Sequence, residues 1–164
     1  MIASPYAALT PGWREEFARR WGAVTLSESD VAASRHRLWA TRCCRIKSGL
    51  GGRPREMYRS PLVQHFLAFA EASGLAYAIV SDKYGLHFPE ERVAYYDLGP
   101  WDLSSVARKA LGEVVGAQAQ ERGHKEILFY NTSPLMSRPY LEILSSSGLR
   151  VFFTTRLPKL EALE

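Results

Sequence analysis

Short apolar runs alternate with amphipathic segments along most of the chain. Four of the runs predict strands, over residues 37–44, 76–81, 127–130 and 151–153. The run at 76–81 is unbroken, which is typical of a strand covered on both faces. The longer segments between the runs repeat their apolar residues every three or four positions, as helices do.

Three predicted helices separate these strands, over 60–74, 102–123 and 133–148. Two begin with Ser-Pro, the longest begins at Asp102, and a glycine lies near the end of each, as expected of helix boundaries. In the longest helix, Leu103, Val106, Ala107, Ala110, Leu111, Val114 and Ala117 form one apolar stripe. Alternating strands and helices indicate right-handed crossover units. We therefore predict a three-layer α/β/α fold with a mainly parallel four-stranded sheet.

We expect residues 1–164 to form a single α/β domain, with residues 1–35 as a helical extension packed on it. Thr10-Pro11 is a typical helix start. Trp13, Phe17 and Trp21 recur every four residues and share one helix face. Such a stripe packs against the core, or else serves as an exposed docking face for a partner.

Composition favours a globular protein, with 46% hydrophobic and 23% charged residues. No apolar run approaches the roughly 20 residues that span a bilayer, and the first residues lack the features of a signal peptide. A cytoplasmic protein without a membrane partner is therefore expected. Cys43 and Cys44 are adjacent, so a disulfide between them would be strained, and two buried or site-lining thiols are expected instead.

The net charge of +4 is concentrated in one stretch whose only acid is Glu56. Its cations are Arg35, Arg37, Arg42, Arg45, Lys47, Arg53, Arg55 and Arg59. Guanidinium groups suit phosphate because they donate forked hydrogen bonds. The cluster is equally consistent with a solvated rim, or with ion pairs to acids elsewhere in the chain.

Polar residues follow each apolar strand. Ligands of open parallel sheets bind outside the carboxyl ends of the strands, so these segments predict a site. They contain Cys43, Cys44, Arg45 and Lys47; Ser81, Asp82, Lys83 and Tyr84; Asn131, Thr132 and Ser133; and Thr154, Thr155 and Arg156. The helix starts at Ser60 and Ser133 present free N–H groups that suit an anion.

Other ligand motifs are weak. The glycine-rich loop 48–52 matches neither a P-loop nor a dinucleotide fingerprint, and it predicts a surface turn or a close backbone approach to a ligand. The four histidines and the Cys43-Cys44 pair lack metal-ligand spacing. We therefore predict no metal and no cofactor.

One segment carries a family resemblance. Residues 81–86 (Ser-Asp-Lys-Tyr-Gly-Leu) and 95–97 (Tyr-Tyr-Asp), preceded by 57–61 and 43–47, resemble a family of uncharacterised bacterial and archaeal domains. That family usually has alanine at position 82 and proline at position 95. More distantly, these residues are similar to the YaaA peroxide-stress family and to a domain of archaeosine tRNA-modifying enzymes.

Those distant resemblances imply nucleic-acid association and a fold like that of uracil-DNA glycosylases. Residues 131–135 (Asn-Thr-Ser-Pro-Leu) also resemble the His-Pro-Ser-Pro-Leu motif of those glycosylases, with asparagine in place of histidine.

Three functions are compatible with these observations. The first is a nucleic-acid-associated protein that binds or acts on a nucleotide or nucleobase, with DNA or RNA as partner. The second is an enzyme acting on a small phosphorylated metabolite, and the third is a non-catalytic interaction module. The candidate catalytic residues are Asp97, Lys83 and Asp82, and the candidate phosphate- or nucleic-acid-binding residues are Arg45, Lys47, Arg55, Arg59, Ser60, Tyr84, Asn131 and Ser133. The sequence gives no indication of the oligomeric state.

Overall fold

The computed structural model describes residues 9–164, so the first eight residues of the predicted amino-terminal extension lie outside the described part. These residues form one six-stranded sheet with helices on both faces. The strands are β1 (Ala23–Thr25), β2 (Leu38–Arg42), β3 (Tyr77–Ser81), β4 (Gly85–His87), β5 (Glu126–Tyr130) and β6 (Arg150–Thr154). Their order across the sheet is β1-β6-β5-β2-β3-β4.

The four predicted strands form the centre of this sheet, and all of them run parallel. The mixed α/β class and the mainly parallel sheet are therefore confirmed. The sheet has six strands rather than four, because β1 adds in parallel at one edge and β4 adds antiparallel at the other. Each edge strand has only three residues, too few for a hydrophobic period to mark it.

The helices are α1 (Trp13–Trp21), α2 (Glu28–Ala32), α3 (Pro54–Met57), α4 (Pro61–Ser73), α5 (Ser105–Glu121) and α6 (Pro134–Ser145), with 3₁₀ turns at Pro100–Asp102 and Leu160–Ala162. Ser60 and Ser133 cap α4 and α6, as predicted. The prediction that Asp102 caps the longest helix is wrong. The Ser104 side chain caps α5, and Asp102 accepts a hydrogen bond from the Gly99 N–H within the 3₁₀ turn.

Aromatic contacts show which helices cover each face of the sheet. Phe129 and Phe153 pack together, with Phe129 against Tyr140 of α6 and Phe153 against Phe17 of α1. On the other face, Phe66 and Phe69 of α4 contact rings from β2, β3 and β5. The alternating side-chain directions of parallel strands thus give a helical layer on each side.

The aromatic stripe of α1 belongs to the core. Trp13, Phe17 and Trp21 are 8%, 0% and 6% exposed, and Trp13 and Phe17 both contact Phe153. The interpretation of this stripe as an exposed docking face is therefore wrong. The helix begins at Trp13 rather than at Thr10-Pro11, because Gly12 occupies the position before its first turn.

The apolar stripe predicted for α5 is wrong in part, because Val106 and Val114 are exposed. The buried face includes Gly112 and Gly116, where an added Cβ would meet backbone carbonyl oxygens of Ile143 and Ser147. These two glycines let α5 lie close to α6 and the turn after it, an arrangement that a hydrophobic pattern does not reveal. Of the helices formed by residues 9–164, none combines the length and apolar character that a bilayer crossing requires.

Candidate functional site

A cleft of about 790 Å³ opens at the carboxyl ends of β2 and β3. Its volume lies within the range of small-molecule sites in proteins. Most of the lining comes from two segments, residues 42–47 at the end of β2 and residues 97–102 before α5. Ser60 before α4, Asp82 after β3, and two residues of α6 complete it. The lining residues are Arg42, Cys43, Cys44, Arg45, Ile46, Lys47, Ser60, Asp82, Asp97, Leu98, Gly99, Pro100, Trp101, Asp102, Met136 and Tyr140.

Asp82 is the most deeply buried charged residue of this lining, with 3% of its surface exposed. Its Oδ2 accepts a hydrogen bond from the Cys43 thiol at 2.9 Å, and the Tyr140 hydroxyl lies 3.5 Å from the same oxygen. Its Oδ1 is buried, and no donor among the described residues reaches it. Buried polar atoms normally have partners, so this open acceptor marks Asp82 as a functional candidate.

Burial changes the acidity of this cluster. The pKa of Asp82 is raised from 3.8 to about 6, chiefly by desolvation, and the Cys43 hydrogen bond and the positive charge of Lys47 limit the rise. Desolvation and the adjacent Asp82 charge raise the pKa of Cys43 to about 12. Asp82 can therefore exchange a proton near neutral pH, whereas Cys43 remains a protonated donor.

A second buried chain of hydrogen bonds lies beside the cleft. His87 Nε2 is 2.7 Å from the carbonyl oxygen of Glu91, so Nε2 carries the proton and donates it. The Tyr58 hydroxyl then donates to His87 Nδ1 at 3.0 Å and accepts from the Tyr96 hydroxyl at 3.1 Å. Burial lowers the pKa of His87, which keeps the ring neutral. All these groups bond one another, so the chain has a structural role.

Arg45 and Lys47 supply positive charge to the cleft, beside Arg42, whose guanidinium donates to Asn131 and to the Cys43 carbonyl oxygen. Neither forms an ion pair with a carboxylate of residues 9–164. Arg45 is exposed, and the half-buried Lys47 lies 4.5 Å above the ring of Tyr96. Positively charged groups without carboxylate partners at a cleft are well suited to an anion.

The segment before α5 brings acceptors and an aromatic ring to the same cleft. Asp97 and Asp102 are exposed carboxylates, and Trp101 between them is half-buried, with Nε1 buried and unpaired within the described chain. Positive charge thus comes from residues 42–47 and negative charge from residues 97–102. A ligand that suits this lining has an anionic part and a part rich in hydrogen-bond donors.

The predicted site residues divide between this cleft and other places. Five of them line it: Arg45, Lys47, Ser60, Asp82 and Asp97. Lys83 and Tyr84 do not line it. Lys83 is exposed beside the Tyr84 ring, and the Tyr84 hydroxyl donates to the Ala94 carbonyl oxygen.

The other predicted ligands also bond within the protein. Arg55 pairs with Glu71, and Arg59 donates to the carbonyl oxygen of Arg55. Asn131 is buried between Arg42 and Ser137. The Ser133 side chain accepts from the Met136 N–H at the start of α6. These four side chains therefore have partners within the protein, and none of the four is among the residues that line the cleft.

Much of the basic stretch also has internal partners. Arg35 donates to the Ser73 carbonyl oxygen, Arg37 pairs with Glu126, and Arg53 lies 4.0 Å from Glu56. The glycine-rich loop likewise packs on the protein, because Gly52 forms a bridge with Val93, and Gly51, at φ +71°, lies against the same backbone. The glycines of this loop therefore allow a close contact with the backbone near Val93, rather than with a ligand.

Trp101, Asp102, Met136 and Tyr140 line the cleft but were not predicted as site residues. Trp101 and Asp102 belong to the long segment between β4 and α5, which no periodicity marks. Tyr140 lies on α6 and is buried in the core, with its hydroxyl at the cleft. The sequence signal that could have identified Tyr140 is its hydroxyl, because a tyrosine in a core needs a hydrogen-bond partner for that group.

No group of three or more His, Cys, Asp or Glu side chains within residues 9–164 is arranged to hold a metal ion. No curated protein and no solved structure gives a significant match to the chain. One family model does match, over residues 41–154, which is more than half of the chain and includes every residue that lines the cleft. The chain therefore belongs to DUF6884, a family of unknown function.

Proposed function

We propose that this protein associates with nucleic acid and binds one nucleotide in the cleft at the carboxyl ends of β2 and β3. The observation that carries the proposal is that Arg45 and Lys47, which have no carboxylate partners within the described residues, meet Trp101 and the exposed carboxylates Asp97 and Asp102 in one cleft. A nucleotide has the matching parts, namely a phosphate, a flat base, and hydroxyl and amino donors.

Each part of the nucleotide has a partner in this proposal. Arg45 and Lys47 hold the phosphate, beside the positive end of the α4 dipole at Ser60. Trp101 packs against the base, since every base has a face that stacks on an aromatic ring. Asp97 or Asp102 accepts hydrogen bonds from the ribose hydroxyls, as acidic residues do in nucleotide sites.

Two features support nucleic acid as the source of the nucleotide. Residues 81–86 and 95–97 resemble the YaaA family and a domain of archaeosine tRNA-modifying enzymes, and this relationship stays a prediction. If it holds, it implies a fold like that of uracil-DNA glycosylases and an association with nucleic acid. The pI of about 9.2 also favours a polyanionic partner.

The test is binding of a fluorescent single-stranded oligonucleotide, and of unlabelled mononucleotides in competition, over a series of salt concentrations. The double variant R45A/K47A should weaken binding by about tenfold or more, because two charge-assisted contacts are lost. The matched control is K109A/K125A, which removes two exposed lysines that do not line the cleft. Absence of binding at low salt, or equal losses in the two double variants, would refute the proposal.

A second candidate is an enzyme that acts on a small phosphorylated metabolite in the same cleft. The observation in its favour is Asp82, whose pKa of about 6 suits proton transfer near neutral pH. In this case Arg45 and Lys47 hold the phosphate, since Lys83 lies outside the cleft lining. Stabilisation by sugar phosphates in a thermal-shift screen, without affinity for nucleotides or oligonucleotides, would favour this candidate.

A further inference from the structure

A second cleft, of about 680 Å³, lies at the carboxyl ends of β1 and β6. It is built by the segments that follow these strands and by the first turn of α1. Its lining residues are Arg14, Thr25, Leu26, Ser27, Glu28, Val31, Thr154, Thr155, Arg156, Leu157, Pro158 and Lys159. None of these residues belongs to the first cleft.

The charge of this second cleft is mainly positive, with Arg14, Arg156 and Lys159 against one acid, Glu28. Arg156 and Glu28 approach to 3.1 Å, but their side chains are 78% and 84% exposed. Exposed pairs of this kind contribute little stability, so an anion can replace the carboxylate beside Arg156. Lys159 is exposed and has no carboxylate partner within the described chain.

An unpaired hydroxyl lies in the same cleft. Thr25 Oγ1 is buried and has no hydrogen-bond partner among residues 9–164. Thr154 and Thr155, at the end of β6, also line the cleft. The Thr154 hydroxyl donates to the carbonyl oxygen of Arg156 and accepts from its N–H, so Thr25 supplies the open hydroxyl. Hydroxyl and guanidinium donors together are typical partners of phosphate oxygens.

Both clefts lie along one edge of the sheet. The strands β1, β6, β5, β2 and β3 are parallel neighbours, so their carboxyl ends point in the same direction. Three strand spacings separate the middle of the first cleft from the middle of the second, which is roughly 14 Å at about 4.8 Å each. The exposed Thr132, after β5, lies between them. A chain of phosphates that leaves the first cleft can therefore reach the second by following the strand ends.

We propose that the second cleft is a phosphate subsite for a single-stranded nucleic acid, whose strand runs along the carboxyl edge of the sheet from one cleft to the other. This inference rests on the proposed function of the first cleft. It adds the substrate form, a polynucleotide strand rather than a free nucleotide, and it assigns Arg14, Lys159 and Thr25 as contacts to the strand.

The test compares R14A/K159A with the unchanged protein for binding of a mononucleotide and of a single-stranded oligonucleotide of ~10 nucleotides. We expect oligonucleotide affinity to fall roughly tenfold at low salt, and the slope of log affinity against log salt to become shallower by roughly 1. Mononucleotide affinity should stay within about twofold, because the first cleft is unchanged. The control K109A/K125A removes the same charge elsewhere.

Two further variants distinguish a loss of ligand contacts from a disturbance of the fold by R14A. Arg14 lies 4.3 Å above the Trp13 ring, so K159A alone and T25V report on the cleft without that contact. Both should weaken the oligonucleotide and spare the mononucleotide. If R14A/K159A matches K109A/K125A while R45A/K47A still weakens mononucleotide binding, the second subsite is wrong and the proposed function stands. If neither ligand binds the unchanged protein, both proposals are wrong.

Discussion

The Cys43 thiol donates a hydrogen bond to Oδ2 of Asp82 at 2.9 Å, on the floor of the first cleft. Both side chains are almost fully buried; the Asp82 charge raises the cost of ionising Cys43, whereas the hydrogen bond from Cys43 favours the ionised form of Asp82. The proton shared between them therefore stays on sulfur at neutral pH, and Asp82 is the partner that titrates. This pair links the stability of the fold to pH.

Asp82→Asn should change the pH dependence of folding stability. Because the pKa of Asp82 is higher in the folded protein than the ordinary 3.8, the folded state binds the proton more tightly. Stability is thus lost as pH rises from 3.8 to about 6, by roughly 3 kcal/mol in all. The asparagine variant lacks this loss, so its stability relative to the unchanged protein should rise across that window. Urea unfolding at several pH values measures the difference.

Asp97→Asn is the matched control for Asp82→Asn, since Asp97 lines the same cleft but is exposed. This control removes the same charge from the cleft without removing a buried carboxylate. A pH-independent difference for Asp82→Asn would contradict the burial argument.

Cys43 should resist alkylation in the native protein. Its pKa of about 12 leaves a negligible fraction of thiolate at pH 8, and thiolate is the reactive form. The variant C44A leaves Cys43 as the one thiol of the chain, so mass spectrometry after iodoacetamide treatment reports on it directly. We expect slow labelling that accelerates when urea unfolds the protein. Rapid labelling of native C44A at pH 8 would show that Cys43 is ionised or exposed.

The central strands of the sheet could be predicted because strands covered on both faces have continuous runs of apolar residues in the sequence. The starts of α4 and α6 could also be predicted, since a serine cap followed by proline marks the beginning of a helix whatever the rest of the fold is. The edge strands could not be predicted, because three residues carry no period and their pairing is set by the rest of the sheet.

Only the site residues that follow the strands could be predicted, because the parallel topology of the sheet determines where they lie. Asp82, Arg45 and Lys47 lie at strand ends, and parallel pairing alone brings them together. Trp101 and Asp102 reach the cleft through a loop whose path depends on tertiary contacts, such as Arg108 bonding the Pro100 carbonyl oxygen. The basic stretch was overestimated as a binding surface, because the number of cations does not show which arginines form ion pairs with acids such as Glu71 or Glu126.

Gly112→Ala and Gly116→Ala should each destabilise the fold. An added Cβ would meet the carbonyl oxygen of Ile143 or Ser147, which are backbone atoms that cannot rotate away. We expect losses of about 1–3 kcal/mol, as for other overpacked interfaces, despite the better helix propensity of alanine. Chemical denaturation midpoints measure them. Gly49→Ala is the control, because nothing lies within 4 Å of its added Cβ. If the helical variants were as stable as Gly49→Ala, the close approach of α5 and α6 would be wrong.

Tyr58→Phe tests the buried chain beside the cleft. Removing the hydroxyl leaves His87 Nδ1 without a donor and the Tyr96 hydroxyl without its acceptor, both in a buried environment. An unsatisfied buried group costs about 1–3 kcal/mol, so the variant should unfold at clearly lower urea concentration. Tyr84→Phe removes a hydroxyl that bonds the Ala94 carbonyl oxygen near the surface, and it should change stability by about 0.5 kcal/mol or less. Similar small effects in both variants would mean that water, rather than Tyr58, satisfies the imidazole of His87.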